Sequence, residues 1–223
     1  MTITIEDIKK SEKIKELVNH SNKCLEMIGY TDHGPRHVGY VSRIAGEILS
    51  KLNVPQRRVE LAKIAGWVHD VGNLVNRKYH GLNGAVMLFP ILCEMGMPVS
   101  EACDICAAVG SHEEETGNPI SDVSAALIIA DKVDAHRARV RVKKYDALDI
   151  HDRVNYSIQS TKLTVGEDTI SIDYEMNTSS SPLDFLTIYM TRMRMCEKSA
   201  RFLGCNFGLY INGVKLNRWD ESR

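Results

Sequence analysis

The sequence lacks the features that mark several whole classes of protein. No apolar run approaches the roughly 18 residues that a membrane helix needs, and charges interrupt residues 1–20, which therefore have no apolar core of a signal peptide. Aromatic residues make up only 6%, and the net charge of -1 leaves no basic excess of the kind that binds duplex nucleic acid. We therefore expect a cytoplasmic globular protein with neither a membrane nor a duplex nucleic acid as its partner.

Cysteine is present without a pattern that requires disulfides. The six cysteines are Cys24, Cys93, Cys103, Cys106, Cys196 and Cys205. A chain of 223 residues can bury a core without cross-links. Cys103 and Cys106 form one C-x-x-C inside a predicted helix, with no second C-x-x-C to complete a zinc site. We expect buried, reduced thiols, and a redox or zinc role for this pair is the alternative.

The hydrophobic pattern changes near residue 150. Before that point, apolar residues follow the helical period in one segment after another. The predicted helices cover 5–28, 35–52, 56–70, 81–95, 101–112 and 123–143. After it, residues 156–176 alternate with period two around a turn and predict a hairpin, 183–203 predict a helix, and Asn212-Gly213 predicts the turn of a second hairpin.

Polar groups project repeatedly from the apolar faces of the predicted helices. The candidate metal ligands are His37, His69, Asp70, His80, His112 and Asp131. A buried carboxylate without partners is very costly, and a bound metal would satisfy several of these groups at once. Each residue alone has a plain alternative: a hydrogen-bonded core histidine, a salt bridge for Asp131, or a helix cap for His69-Asp70. The joint pattern favours the metal site.

The order His37, His69-Asp70 and Asp131 resembles the HD superfamily of metal-dependent phosphohydrolases. The segment LAKIAGWVHDVGN at 61–73 is similar to the family's His-Asp helix, and LIIADKVDAHR at 127–137 is similar to its last ligand helix. YHGLNGAVML at 79–88 and VGSHEEETG at 109–117 resemble the additional ligand segments of the members with two metals. The resemblance covers about residues 30–140.

The resemblance implies a helical HD-domain bundle at 1–150. The pattern after residue 150 predicts a small α+β extension at 151–223 outside the family core, so the expected fold class is mostly α. The resemblance also implies two divalent transition metals bridged by Asp70 and held by the six ligands. His37, His69 and Asp131 would hold one metal, and His80 and His112 would complete the other. Iron is the expected metal, and manganese, zinc, cobalt and nickel also suit imidazole and carboxylate ligands.

The implied reaction is hydrolysis of a phosphate ester by attack of a metal-bound hydroxide. The expected substrate is a nucleotide or related small phosphorylated molecule, and the resemblance leaves phosphomonoesterase or phosphodiesterase open. The candidate catalytic residues are His69, Asp70, Glu113 and Asp134. The candidate phosphate-binding residues are Arg36, Arg77, Lys78, Lys132 and Arg137. Glu113 and Asp134 would orient the site, protonate a leaving oxygen or pair with arginines. The arginines and lysines at 137–144 form a basic run on the same predicted helix as Asp131. This run would steer the substrate phosphate toward the site, or it is a solvated helix face.

Two departures from the family pattern narrow the assignment. Asn73 stands where many relatives have lysine, and Glu-Glu-Glu follows His112 with no Gly-Tyr-Pro, which argues against a cyclic di-GMP phosphodiesterase. The alternatives to an esterase are a non-catalytic metal- or nucleotide-binding regulatory module and a di-iron oxygenase. The extension at 151–223 would cap the site, form a homodimer interface or bind a partner.

Overall fold

The computed structural model describes residues 2–114, 116–141 and 145–217. Its α-helices are α1 (Ile5–Lys10), α2 (Glu12–Met27), α3 (Pro35–Lys51), α4 (Gln56–Val68), α5 (His80–Glu94), α6 (Val99–Gly110), α7 (Asp122–Val133), α8 (Ile150–Ser157) and α9 (Pro182–Phe202). Short 3₁₀ turns lie at Val71–Leu74 and Arg137–Arg139. The strands are β1 (Ile158–Val165), β2 (Thr169–Met176), β3 (Asn206–Ile211) and β4 (Val214–Lys215). The mostly α fold class is confirmed. Among the described helices, none is both long enough and apolar enough to cross a bilayer.

Helices α3, α4 and α7 form the centre of the helical part. Small residues let α3 and α4 approach closely: a Cβ added to Gly66 would lie 2.7 Å from Cα of Ser42. The Ser42 hydroxyl donates a hydrogen bond of 2.7 Å to the carbonyl of Lys63 on the facing helix. Almost all of α7 is buried beside this pair. The ligand candidates of these helices therefore face one another across one core.

Two of the predicted helices differ from the observed ones by more than a shift of two residues at their ends. The predicted helix at 5–28 is two helices, because Ser11 leaves the helical conformation and its side chain caps α2 by accepting from the Ile14 amide. The predicted helix at 123–143 stops at Val133, where Asp134 (ψ 55°) turns the chain away. The basic run therefore leaves α7, and its residues Lys143 and Lys144 lie outside the described residues.

The C-terminal sheet has the order β1-β2-β3-β4. Both predicted hairpins are confirmed: β1 pairs antiparallel with β2, and β3 with β4 across Asn212 and Gly213, which have φ values of 51° and 75°. Strands β2 and β3 are parallel because α9 carries the chain back between them. The prediction that the first strand begins at Tyr156 is wrong, because Asp149 caps the helix α8 that runs to Ser157.

The C-terminal elements pack against the end of α7. The Tyr174 hydroxyl donates to the carbonyl of Lys132 (3.1 Å), and the Thr161 hydroxyl donates to the carbonyl of Ala135 (2.9 Å). Buried apolar residues from Ile5 to Ile211 belong to one hydrophobic cluster. The extension therefore lies directly beside the helix end that carries Asp131. The division into two domains at residue 150 stays a prediction.

All six cysteines are free thiols. Only Cys196 and Cys205 are fully buried, and Cys103 is exposed, so the expectation of buried thiols is wrong for Cys103. Burial raises the pKa of the half-buried Cys106 to about 12. This thiol is therefore a poor thiolate donor for a metal at neutral pH.

Candidate metal centre

Six side chains from separate elements converge at one end of the helical part. His37 lies in the first turn of α3, His69 and Asp70 follow α4, and His80 begins α5. His112 follows α6, and Asp131 lies in the last turn of α7. The five other than Asp131 are buried, and the side chain of Asp131 is 15% exposed. The fold thus brings together all six ligands predicted from the sequence.

Asp70 lies between two groups of histidines. Its Oδ2 atom is 3.5 Å from Nε2 of His37 and 3.2 Å from Nε2 of His69. Its Oδ1 atom is 3.3 Å from Nε2 of His80 on the other side. Oδ1 of Asp131 is 3.4 Å from Nε2 of His37. Each Asp70 oxygen therefore faces a different group of ligand atoms.

The four histidines present the same nitrogen to the centre. In each ring, Nδ1 contacts an oxygen, which requires Nδ1 to be the protonated nitrogen where that oxygen is a carbonyl or an ionised carboxylate. The partners are Asp134 Oδ2 for His37 (2.7 Å), the Gly66 carbonyl for His69 (2.9 Å), the Arg77 carbonyl for His80 (3.0 Å) and the Val109 carbonyl for His112 (2.5 Å). The lone pairs of the four Nε2 atoms are thereby directed into the centre.

These lone pairs face one another and require positive charge between them. Nε2 of His37 is 3.3 Å from Nε2 of His69, and Nε2 of His80 is 3.0 Å from Nε2 of His112. The buried Oδ2 atom of Asp70 has no hydrogen-bond partner. Among the described residues, the ligand atoms fall into groups of three within 4.8 Å: His37, His69 and Asp70; His69, His112 and Asp131; and Asp70, His80 and His112. Imidazole and carboxylate donors in such groups fit divalent transition metals.

Two further carboxylates hold ligand histidines from behind. Asp134 accepts from Nδ1 of His37 and from Nη2 of Arg36, each at 2.7 Å. Glu113 contacts Nδ1 of His80 in the same manner. Burial acts to raise the pKa values of Glu113 and Asp134. Their hydrogen bonds with these histidines outweigh that effect, so the pKa values of both carboxylates are lowered. A carboxylate behind a histidine fixes the ring and makes it a more basic ligand.

We predict that Asp134→Ala weakens metal binding by about 10–100-fold, because His37 loses the group that orients it. The measurement is a competition between protein and a chelator of known affinity. Glu113→Ala is the counterpart on His80, and the exposed hairpin variant Asp168→Asn is the control. Unchanged affinity in Asp134→Ala would show that His37 needs no orienting carboxylate.

The metal-binding nitrogens of the centre also bind protons, so the metal affinity of the centre depends on pH. Burial acts to lower the pKa of His69, but the negative charge of Asp70 and the close contacts of Nε2 with the carboxylates of Asp131 and Asp70 raise it to about 10. A proton and a metal compete for Nε2, so we predict that metal binding at pH 8 releases protons and strengthens as pH rises toward 10. Calorimetry in buffers of different ionisation enthalpy measures this release. A binding enthalpy independent of the buffer would contradict it.

A cavity of about 760 Å³ opens over the centre. Asp70, His80 and Asp131 form part of its wall, so it gives access to both groups of ligand atoms. The predicted phosphate-binding residues divide into two sets by position. Arg77, Lys78 and Lys132 line the cavity.

Arg36 and Arg137 lie elsewhere. The guanidinium of Arg36 donates to both carboxylate oxygens of Asp134, at 3.3 and 2.7 Å. Arg137 is exposed on its 3₁₀ turn, where it donates to the Gln159 side chain (2.8 Å) and lies 4.9 Å from the centroid of the Tyr156 ring. Arg36 therefore acts on the site through Asp134, and Arg137 is not among the residues that line the cavity.

Several residues of the cavity wall do not emerge from the sequence. Helix α8 contributes His151 and Asn155, and α9 contributes Tyr189 and Arg192. Arg192 lies in the predicted helix at 183–203, and its partner Glu114 is 78 positions away in the sequence. No local pattern therefore distinguishes Arg192 from a surface arginine. A useful signal is present only in the Glu-Glu-Glu that follows His112, where carboxylates require partners.

Residues 36–136, which include all six ligand candidates, match the family model of the HD domain. This segment is an HD domain. A similar solved structure is that of a predicted HD superfamily hydrolase from an uncultured Thermotogales bacterium, 23% identical, with a TM-score of 0.43 over 59% of this chain and 73% of that one. No curated protein matches the chain. The HD domain and its His/Asp groups together support a metal-dependent hydrolase.

Proposed function

We propose that the HD domain hydrolyses a phosphate ester, and that it holds two divalent metals bridged by Asp70. The observation that carries this proposal is the direction of the histidines: all four rings turn Nε2 toward the carboxylates of Asp70 and Asp131. The first metal would be held by His37, His69, Asp70 and Asp131. The second would be held by Asp70, His80 and His112. Iron is our first candidate for both metals, followed by manganese, zinc, cobalt and nickel.

The substrate class follows from the charges around the cavity. Two metals in these groups would supply an activated water and neutralise phosphoryl oxygens. Nζ of Lys132 lies 2.5 Å from Oδ2 of Asp131 and 3.3 Å from the His112 carbonyl, so its charge is held against the ligands. Arg77 stands over the Tyr30 ring, 5.3 Å from its centroid. Such cations attract a phosphate, whose charge would otherwise be repelled by the carboxylates.

Asn73 connects the centre to this phosphate-binding wall. Its Nδ2 donates to Oδ1 of Asp70 (2.8 Å), and its Oδ1 accepts from Nη1 of Arg77 (3.2 Å). The amide therefore orients the bridging carboxylate and a cation at once. In this chain Asn73 stands at the position that lysine occupies in many relatives, and it holds Arg77, which supplies positive charge at the wall.

The cavity also suits the organic part of a nucleotide or a similar small molecule. Tyr30, Tyr79 and Tyr189 line it, and aromatic rings can stack on a base or pack against a sugar. We propose a nucleotide or related small phosphorylated molecule as the substrate on this basis.

The test combines metal analysis with a panel of phosphate mono- and diesters. The full chain is purified, its metals per chain are measured, and turnover is assayed with iron, manganese and chelator. We expect two metals per chain and metal-dependent release of phosphate or of a phosphomonoester. Bound metal without turnover of any ester would favour a regulatory module, and oxygen consumption would favour an oxygenase.

A further inference from the structure

We infer that Arg192 of α9 binds the anionic group of the substrate, so that the C-terminal extension forms part of the substrate site. This inference rests on the proposed function. It assigns a binding role to a helix that lies outside the matched HD domain, which ends at residue 136.

Arg192 is fixed on two sides within the cavity wall. Its Nε atom donates to Oε1 of Glu114 at 2.5 Å. Its guanidinium carbon lies 4.8 Å from the centroid of the Tyr189 ring, whose hydroxyl donates to Oδ1 of Asn155 at 2.8 Å. The guanidinium is therefore held in one orientation before any ligand arrives, which reduces the entropy lost on binding.

The terminal nitrogens of Arg192 remain available. Within the described residues, Glu114 takes only Nε, and neither Nη1 nor Nη2 forms a hydrogen bond or is a buried atom without a partner. Two parallel N–H groups on a planar fork match the oxygens of a phosphate. The side chain is 27% exposed, and the residue lines the cavity, so these groups are accessible to a ligand there.

Arg139 provides the contrast. It lines the same cavity, but Nη1 donates to the Asp134 carbonyl (3.0 Å), Nε to the Asp32 carbonyl (3.2 Å) and Nη2 contacts Nε2 of His33 (2.9 Å). Its donors are committed to holding the chain. An arginine with a purely structural role has this pattern, and Arg192 does not.

Arg192 also lies close to the metal end of the cavity. Burial acts to lower the pKa of Arg192, but the negative charges of Glu114 and Asp131 raise it, so the guanidinium stays charged. The geometry places this positive charge toward the reaction centre, because Arg192 lines the same cavity as the ligand candidate Asp131 and its partner Glu114 follows the ligand candidate His112 by two residues. A phosphate near the ligands could thus contact Arg192 while its ester group extends along the cavity.

The test is the affinity of the manganese-loaded full chain for inorganic phosphate. We expect Arg192→Gln to weaken phosphate binding by about tenfold or more, measured by calorimetry. With an ester that the wild type hydrolyses, we expect KM to rise by a similar factor and kcat to change less. Arg192→Lys keeps the charge without the fork and should fall between Gln and wild type. Arg194→Gln, at an exposed position on the same helix, is the control.

Fold and metal content separate a binding role from a structural one. Each variant is checked for its melting temperature and for metals per chain. If Arg192→Gln loses fold, Arg192→Lys carries the comparison. Wild-type phosphate affinity in a folded, metal-loaded Arg192 variant would overturn the inference. If the wild type cleaves no ester, the proposed function fails, whereas phosphate binding still reports on Arg192.

Discussion

Asp70→Asn should lose metal from both groups and lower turnover by more than the roughly 100-fold that loss of an orienting partner costs. The amide removes one anionic oxygen from a position where the two oxygens face His37 and His69 on one side and His80 on the other. Its NH₂ group would also repel any cation placed there. The measurements are metals per chain and kcat on the ester that the wild type cleaves fastest.

The matched control is Asp168→Asn, which makes the same chemical change at an exposed position of the hairpin turn. It should retain wild-type metal content and activity. Unaltered turnover in Asp70→Asn would refute the assignment of the centre. Loss of one metal with retention of the other would refute the bridging role and leave two independent sites.

Gly72→Ala should destabilise the protein by about 3 kcal/mol or more, or prevent folding. A Cβ at this position would lie 1.9 Å from the His80 carbonyl oxygen and 2.4 Å from the Gly84 amide nitrogen. Both are backbone atoms, so the turn after Asp70 and helix α5 would have to separate. For a chain of this size, that corresponds to a fall in Tm of roughly 6–12 °C.

Gly110→Ala is the comparison, because its Cβ would meet its nearest neighbour, Cβ of Ala85, at 3.6 Å. We expect a change of less than about 1 kcal/mol there. The free energy of unfolding from urea titration measures both variants. A Gly72→Ala protein as stable as the wild type would show that α5 and the turn can shift apart. In that case His80 should also move from Asp70, and metal content would report it.

Most of the candidate ligands can be predicted from the sequence because they interrupt or end an apolar helix, whereas His80 is assigned only through the resemblance to the family. A histidine or aspartate in a buried stripe requires a partner, and the helical period alone shows that it points inward. The same reasoning placed the apolar helix before His69 and the hairpin at Asn212-Gly213. In those segments the neighbouring residues alone are sufficient to predict the local structure.

The missed features depend on contacts between distant parts of the chain. The end of α7 at Val133 follows from Asp134, which leaves the helix and contacts His37, 97 positions earlier. Arg192 meets Glu114 across 78 positions. The sequence predicts strand at Tyr156, the end of helix α8, because Tyr156 continues the alternation of the following residues. Periodicity reports which side of an element is buried, and it cannot report which other element lies there.

The three consecutive residues His112, Glu113 and Glu114 have three different roles. The first is a ligand candidate, the second holds His80, and the third anchors Arg192. Glu114 and Arg192 can therefore change together, and alter the molecule that is accepted, without replacing any ligand. Any such change is transmitted through two peptide bonds to His112. Drift in substrate preference in this protein should consequently be accompanied by larger shifts in metal affinity at His80 and His112 than at His37 and His69.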